Sequence, residues 1–148
     1  MSKIIIGIDP DSKAHGIAVY KDGKLFEILT STLLDIYRFY IRPYGYDSTE
    51  IEFHIEDVCA NNFVYSRNNK GNKSVTSKIA MSIGRCQQSQ SELIRFLDEY
   101  KIKYVLHKPQ KNNWAKNKHQ FEKVTGWVGR SNEDTRSAAY FGFLGLKK

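Results

Sequence analysis

At 148 residues, 41% of them hydrophobic and 13% aromatic, the chain is long enough for one ordinary core and too short for two. No apolar stretch approaches the ~20 residues needed to span a bilayer, and Cys59 and Cys86 make neither a disulfide framework nor a zinc spacing. The formal net charge of +7 is concentrated in one place: residues 101–132 hold seven lysines and Arg130 against the lone acid Glu122, while the remaining basic and acidic residues balance. Met1-Ser2-Lys3 leads directly into a strand-like run with no signal-peptide pattern, so the expected setting is a reducing cytoplasm, with both cysteines as core filler.

The elements follow in chain order. Residues 3–9 read as a dense aliphatic strand, suited to the centre of a sheet covered on both faces, which ends on the carboxylate of Asp9. An ionised carboxylate at such a tip needs a cap, a cation or a metal, unless Asp9 with Pro10 has already reached solvent and begins a turn. "HGIAVYKDGKLFEILTS" predicts a hairpin closed by Asp22-Gly23. Ser31 or Thr32 caps a short helix that stops near Pro43, and a further strand runs over 51–58. A polar loop, "NNFVYSRNNKGNKS", comes next.

The longest helix is predicted over 76–100. Ile79, Ile83, Cys86, Gln90, Leu93, Leu97 and Tyr100 fall on one seam, which packs either on the chain's own sheet or against a second copy. "IKYVLHKP" is a strand and 113–124 a basic helix. "SNEDTRSAAYFGFLGL" closes the chain as a helix capped by Ser131, with Asp134 completing a variant capping box. Without repeats or linkers, 1–148 is expected to be one domain.

This order places three antiparallel strands first and joins two more through helices. Right-handed crossovers would set the fourth strand parallel to the first. Were those two neighbours, Asp9 and Glu56 would meet at the carboxyl ends of the sheet, where open α/β sheets place their ligands. The basic segment carries interleaved aromatics and amides, a mixture suited to phosphate neutralisation and base stacking. His15, His54, His107 and His119 share no ligand spacing; His107, at a strand end, is the one beside the expected site. Trp114 and Trp127 are expected in the core.

"GIDPDSKAHGIAVY", "IEDV" beginning at Glu56, "SKIAMSIGRCQQSQSELIRFL" and "EDTRSAAYFG" together resemble the RuvC-type Holliday-junction resolvases of the ribonuclease H-like superfamily, over essentially the whole chain and in the right order. The small size and lysine richness are similar to phage-encoded members. The resemblance implies an α/β fold with a mixed five-stranded sheet, three strands antiparallel and two parallel, flanked by helices. It also implies a homodimer that cuts branched DNA by paired nicks, using two Mg²⁺ or Mn²⁺ ions held by Asp9, Glu56 and Asp134. Where the family places a further acid one turn after Asp134 this chain has Ser137, with Glu133, Asp57 and Asp11 as substitutes. The resemblance also implies that Phe63 or Tyr65 wedges at the crossover. Arg67, Lys70, Lys73, Lys108, Lys111, Lys116 and Lys118 would then hold DNA, while Ile79, Ile83, Cys86 and Gln90 would pair the subunits. The competing readings are a ribonuclease H-type activity on RNA–DNA hybrids and a DNA-binding protein of the same fold without catalysis. An actin-like phosphate loop would need a second lobe for which the chain has no room.

Overall fold

The computed structural model describes residues 3–43, 50–60 and 73–147, the first four residues of the long helix by backbone alone. Strands β1 (Lys3–Asp9), β2 (His15–Lys21), β3 (Lys24–Ser31), β4 (Glu50–Glu56) and β5 (Lys103–His107) form one sheet in the order β3-β2-β1-β4-β5. The β1–β2 and β2–β3 pairs are antiparallel; β4 runs parallel to both β1 and β5. The hairpin turn falls on Asp22 and Gly23 as expected, both at positive φ (49° and 86°). Helix α1 (Leu33–Ile36) continues as a π-helical turn, Tyr37–Ile41. It is capped by Thr32, whose hydroxyl accepts from the Asp35 amide. Helices α2 (Lys73–Glu99), α3 (Lys118–Thr125) and α4 (Glu133–Leu146) complete the described chain.

Two apolar layers sandwich the sheet, and strand periodicity assigns each residue to one of them. Ile4, Ile6 and Ile8 of β1, with Phe53 and Ile55 of β4, meet Ile36, Leu93 and Leu97 from α1 and α2. On the opposite face, Ile5, Ala18 and Tyr20 pack against Ala138 and Ala139 of α4, with Trp114 and Phe121 beyond. Tyr20 is buried there, and its hydroxyl donates to the Ala139 carbonyl at 2.6 Å. Here α4 lies directly on the strand backbones. A Cβ on Gly7 would stand 1.9 Å from the Ala138 carbonyl oxygen, and one on Gly16 2.4 Å from that of Asp134. The absence of side chains at these two positions sets the depth of α4.

Several sequence expectations need correction. Ser131 is not the helix cap. Asn132 caps α4, accepting from the Thr135 amide at 2.8 Å while the Thr135 hydroxyl accepts from the Asn132 amide at 3.0 Å. The amide side chain one residue on has the reach to close the box with Thr135, and the Ser131 hydroxyl accepts from Arg136 instead. The basic helix starts at Lys118, not at 113, because Trp114 adopts a left-handed backbone (φ 65°) that no helix interior accommodates. Strand β4 stops at Glu56, short of Val58. Cys59 is exposed and Cys86 only half-buried, so neither fills the core.

The α2 seam divides. Leu93 and Leu97 are fully buried in the chain's own core, whereas Ile79 is 40% exposed and Ile83 and Cys86 are half-buried. Gln90 turns inward, accepting from the Val58 amide at 2.7 Å and donating to the Asp57 carboxylate at 2.9 Å. Replacing it by leucine removes both hydrogen bonds, one of them to a half-buried carboxylate left, among the described residues, with the Cys59 amide alone. Gln90→Leu is expected to cost about 2–3 kcal/mol, to be read from the urea midpoint at unchanged m-value.

Candidate active site

Strands β1 and β4 pair in register up to Ile8 and Ile55, so the next residues, Asp9 and Glu56, emerge side by side at the carboxyl end of the sheet. Both belong to the α4 face. Asp9 is also the register partner of Gly16, the glycine on which the backbone of Asp134 rests. Three acids remote in sequence are thus gathered by two parallel strands and one helix N-terminus. The helix can sit there because Gly7 and Gly16 offer no side chain to hold it off.

The electrostatics register the gathering. Burial, then the charges of Glu56 and Asp134, raise the Asp9 pKa from 3.8 to about 8; a hydrogen bond from Ser137 opposes the rise. Glu56 is raised by burial and by Asp134, with the hydrogen bond from Asp9 pulling the other way. The two carboxyls together therefore hold a proton more tightly than separate ones would. Asp134 is raised by burial, then by Asp11 and Glu133. Crowded acids of this kind take up either a proton or a cation. Among the described residues no three His, Cys, Asp or Glu side chains already stand as a ready metal cage. The donor set nonetheless suits a hard divalent ion in kind: carboxylate oxygens, two sharing a proton and the third in Coulombic range.

The weaker candidates separate. Asp57 is turned toward Gln90 and the Cys59 amide, on the α2 side. Asp11 accepts from the Ser12 amide, and its own amide donates to buried His15, whose pKa burial lowers to about 4. Glu133 touches the group only through its charge on Asp134. Ser137, 2% exposed, acts to lower the Asp9 pKa and accepts from the Asn113 side-chain amide at 3.3 Å.

Lys108, Lys111 and Lys116, between β5 and α3, and Lys118, the first residue of α3, are all exposed; Lys111 and Lys116 line a 590 Å³ cleft with Asn112, Asn117 and Gln120. Phe63, Tyr65, Arg67 and Lys70 lie outside the described residues; Lys73 begins α2, its side chain also outside them. Trp114 belongs to the core, packed against Phe121, Tyr140 and Phe143. Trp127 lies against the same layer and donates to the Arg130 carbonyl.

Comparison with solved structures identifies the architecture. The Thermus thermophilus RuvC structure is similar over 95% of this chain and 91% of that one, at TM-score 0.54 and 14% identity. A second, T. thermophilus RuvC in complex with Holliday junction substrate, covers 97% and 93%, at the same TM-score and 12% identity. The fold is RuvC-like. No family model matches the sequence, and no curated protein does. At this identity the likeness is one of architecture, and the RuvC-like sheet carries its acids at the strand ends described above.

One group of residues on this RuvC-like sheet escaped sequence reasoning. Glu52 and His54 share the α4 face of β4 with Glu56. His54 Nε2 lies 2.7 Å from Glu52 Oε1, and His54 Nδ1 lies 2.8 Å from His107 Nε2. Lys103 caps the outer end, 3.3 Å from Glu52 Oε2. Burial pushes the Glu52 pKa up, but hydrogen bonds from His54 and Lys103 outweigh it and leave the pKa lowered. The available signal was the period-two pattern in "IEFHIE", three ionisable side chains on one face of a strand otherwise predicted to be buried.

Proposed function

We propose that the protein is a metal-dependent endonuclease, homodimeric, that resolves four-way and other branched DNA junctions by paired phosphodiester hydrolysis. The observation that carries this reading is the meeting of Asp9, Glu56 and Asp134 at the carboxyl end of the sheet. The RuvC-like fold, found also in a protein solved with a Holliday junction, supports the substrate class. Asp9, Glu56 and Asp134 would hold two Mg²⁺ or Mn²⁺ ions, which when bound supply an activated water and stabilise the departing 3′ oxygen. The chain's own contribution is to keep these oxygens converged and partly shielded from solvent, and to offer phosphates a lysine-rich rim beside them. A four-way junction has two strands to cut about a two-fold axis, which a symmetric pair of subunits matches. Ile79, 40% exposed, and half-buried Ile83 stand one turn apart on the same face of α2 and suit that contact. Among the described residues no helix is long and apolar enough to cross a membrane.

The test offers a labelled four-way junction, a linear duplex and an RNA–DNA hybrid side by side, with Mg²⁺ or Mn²⁺. Symmetric nicking of the junction, with a dimer in sedimentation, is the expected outcome. Cleavage of the hybrid alone by a monomer would replace the substrate. Tight junction binding without cleavage in either ion would remove the catalytic claim.

The lysine rim gives a separate prediction. Alanine at Lys116 and Lys118 together should reduce the log–log salt slope of junction binding by roughly one for each phosphate no longer neutralised. An unchanged slope in filter binding at graded salt would move the DNA path elsewhere.

A further inference from the structure

A 360 Å³ cavity opens where the β1–β2 connection meets the start of α1 and the second half of α2. One of its walls is His15, the first residue of β2, only 3% exposed. The Asp11 amide donates to His15 Nδ1 at 3.3 Å, and a backbone amide can only donate, so Nδ1 is the bare nitrogen. Burial holds the pKa at about 4, so at neutral pH the ring has a single proton, on Nε2. Among the described residues no hydrogen bond reaches Nε2, and none of their buried polar side-chain atoms lacks a partner. Nε2 is therefore not sealed in: it is an N–H donor aimed into the cavity from a side chain otherwise buried. Ser31 is the register partner of His15, which brings Thr32 to the same cavity. The Thr32 hydroxyl oxygen accepts from the Asp35 amide at 3.3 Å and keeps its own proton to donate. Lys13, exposed and in no ion pair among the described residues, adds a positive charge. The two acids of the lining are already engaged: Asp11 accepts from the Ser12 amide at 2.5 Å, and Glu92 accepts from Gln88 at 3.0 Å and pairs with Arg95.

Two neutral donors beside one cation suit a ligand that is anionic and rich in acceptor oxygens. We propose that Lys13, His15 and Thr32 form a phosphate-binding subsite, in which His15 Nε2 and the Thr32 hydroxyl donate to oxygens of the group and Lys13 offsets its charge. The fold indicates whose phosphate it takes, and here the inference rests on the nuclease reading above. The cavity belongs to the face of the sheet covered by α1 and α2. The lysine cleft belongs to the opposite face, its Ala115 carbonyl held to α4 by two hydrogen bonds from Arg136, at 3.0 and 2.8 Å. Asp9 and Glu56 stand at the strand ends between the two. A DNA strand crossing those ends from one face to the other passes the lysines, the acids and then His15, so the subsite takes a backbone phosphodiester beyond the acids. Free orthophosphate presents the same oxygens, and the experiment separates the two sources.

His15→Asn is the informative variant, because the asparagine oxygen can accept from the Asp11 amide as Nδ1 does, while nothing in the shorter side chain reaches the place of Nε2. In chelator its affinity for a labelled four-way junction is expected to fall about 10-fold, the worth of a hydrogen bond to a charged group, with the melting temperature near wild type. Lys13→Ala, at an exposed position, should lower the log–log salt slope of binding by roughly one. Nitrogen-15 NMR of the wild-type imidazole, assigned by its loss in His15→Asn, gives a readout that needs no variant to fold as the wild type does. The Nε2 signal is expected to move when junction is added. If orthophosphate moves it as well, the subsite accepts the free anion; if orthophosphate alone moves it while no junction is bound, the subsite stands and the DNA reading falls. A junction that binds with the Nε2 signal unmoved, with His15→Asn and Lys13→Ala binding as wild type does, overturns the subsite and leaves the DNA reading intact.

Discussion

Asp9→Asn is expected to abolish cleavage and stabilise the fold in the same stroke. Losing a ligand from the centre of the acid group should reduce junction cutting by at least ~10³-fold, about 4 kcal/mol of barrier, with junction affinity nearly intact because Asp9 holds no phosphate. The stability effect follows from proton linkage. Asp9 has a pKa of about 8 in the fold against 3.8 for the ordinary side chain. Between those values the folded chain keeps a proton that the unfolded chain releases, so stability is full below pH ~4, drains as pH rises, and is lowest above pH ~8. An asparagine has no proton to lose. In chelator at pH 8.5 the variant should therefore melt at least ~3 °C above wild type, about 1 kcal/mol for a chain of this size, with the gap closing toward pH 4. Adding Mg²⁺ should raise wild type and leave the variant where it was. Parallel melting curves for the two proteins across pH 4–8.5 would mean that Asp9 is not crowded by Glu56 and Asp134 at all.

Gly7→Ala is expected to be the most damaging single substitution in the sheet. The added methyl would meet the Ala138 carbonyl oxygen at 1.9 Å and the Gly142 amide nitrogen at 2.6 Å, both backbone atoms of a helix interior that cannot swing aside. Relief requires lifting α4 from the strands, opening the layer around Ile5, Ala18 and Tyr20. Overpacking of this kind costs about 3 kcal/mol or more, or a fall of roughly 6–12 °C in melting temperature. Asp134 rides on the same helix, so metal affinity should fall as well. Gly16→Ala is the local counterpart. Its methyl would press on the Asp134 carbonyl at 2.4 Å, at the very end of the helix, and should cost more in metal binding than in stability. Calorimetry and Mn²⁺ titration on both variants check this, and a Gly7→Ala protein melting within 2 °C of wild type would show that α4 is not seated as described.

What could be read from the sequence was whatever depends on local pattern. The aliphatic run of β1, the Asp22-Gly23 turn and the strand that carries Glu56 each have their signal within a few residues, though that strand ends two residues earlier than its pattern suggests, and right-handed crossovers did the rest. The place of Asp134 in the first turn of a terminal helix was legible too. Less legible were features decided by a partner remote in the chain. The pairing of His54 with His107 crosses two strands, and the fate of Gln90 depends on a turn over thirty residues away. The left-handed Trp114 is held by three aromatic neighbours, so tertiary packing overrides a helical-looking pattern. Asn132 outcompeted Ser131 as cap because Thr135, not Asp134, closes the box.

The ionisable row on β4 has a consequence for how the sheet assembles. Glu52, His54 and Glu56 alternate with Phe53 and Ile55, so sliding this strand by one place would reverse both sets. Carboxylates and an imidazole would be driven into the oily layer beneath Leu93 and Leu97, while a phenyl ring would be pressed against the seat of α4 at Gly145, where the backbone already crowds the imidazole. A misaligned intermediate is thereby penalised on both faces at once. The residues that gather the acids at the strand tips also ensure that the chain can find only one alignment in which to gather them.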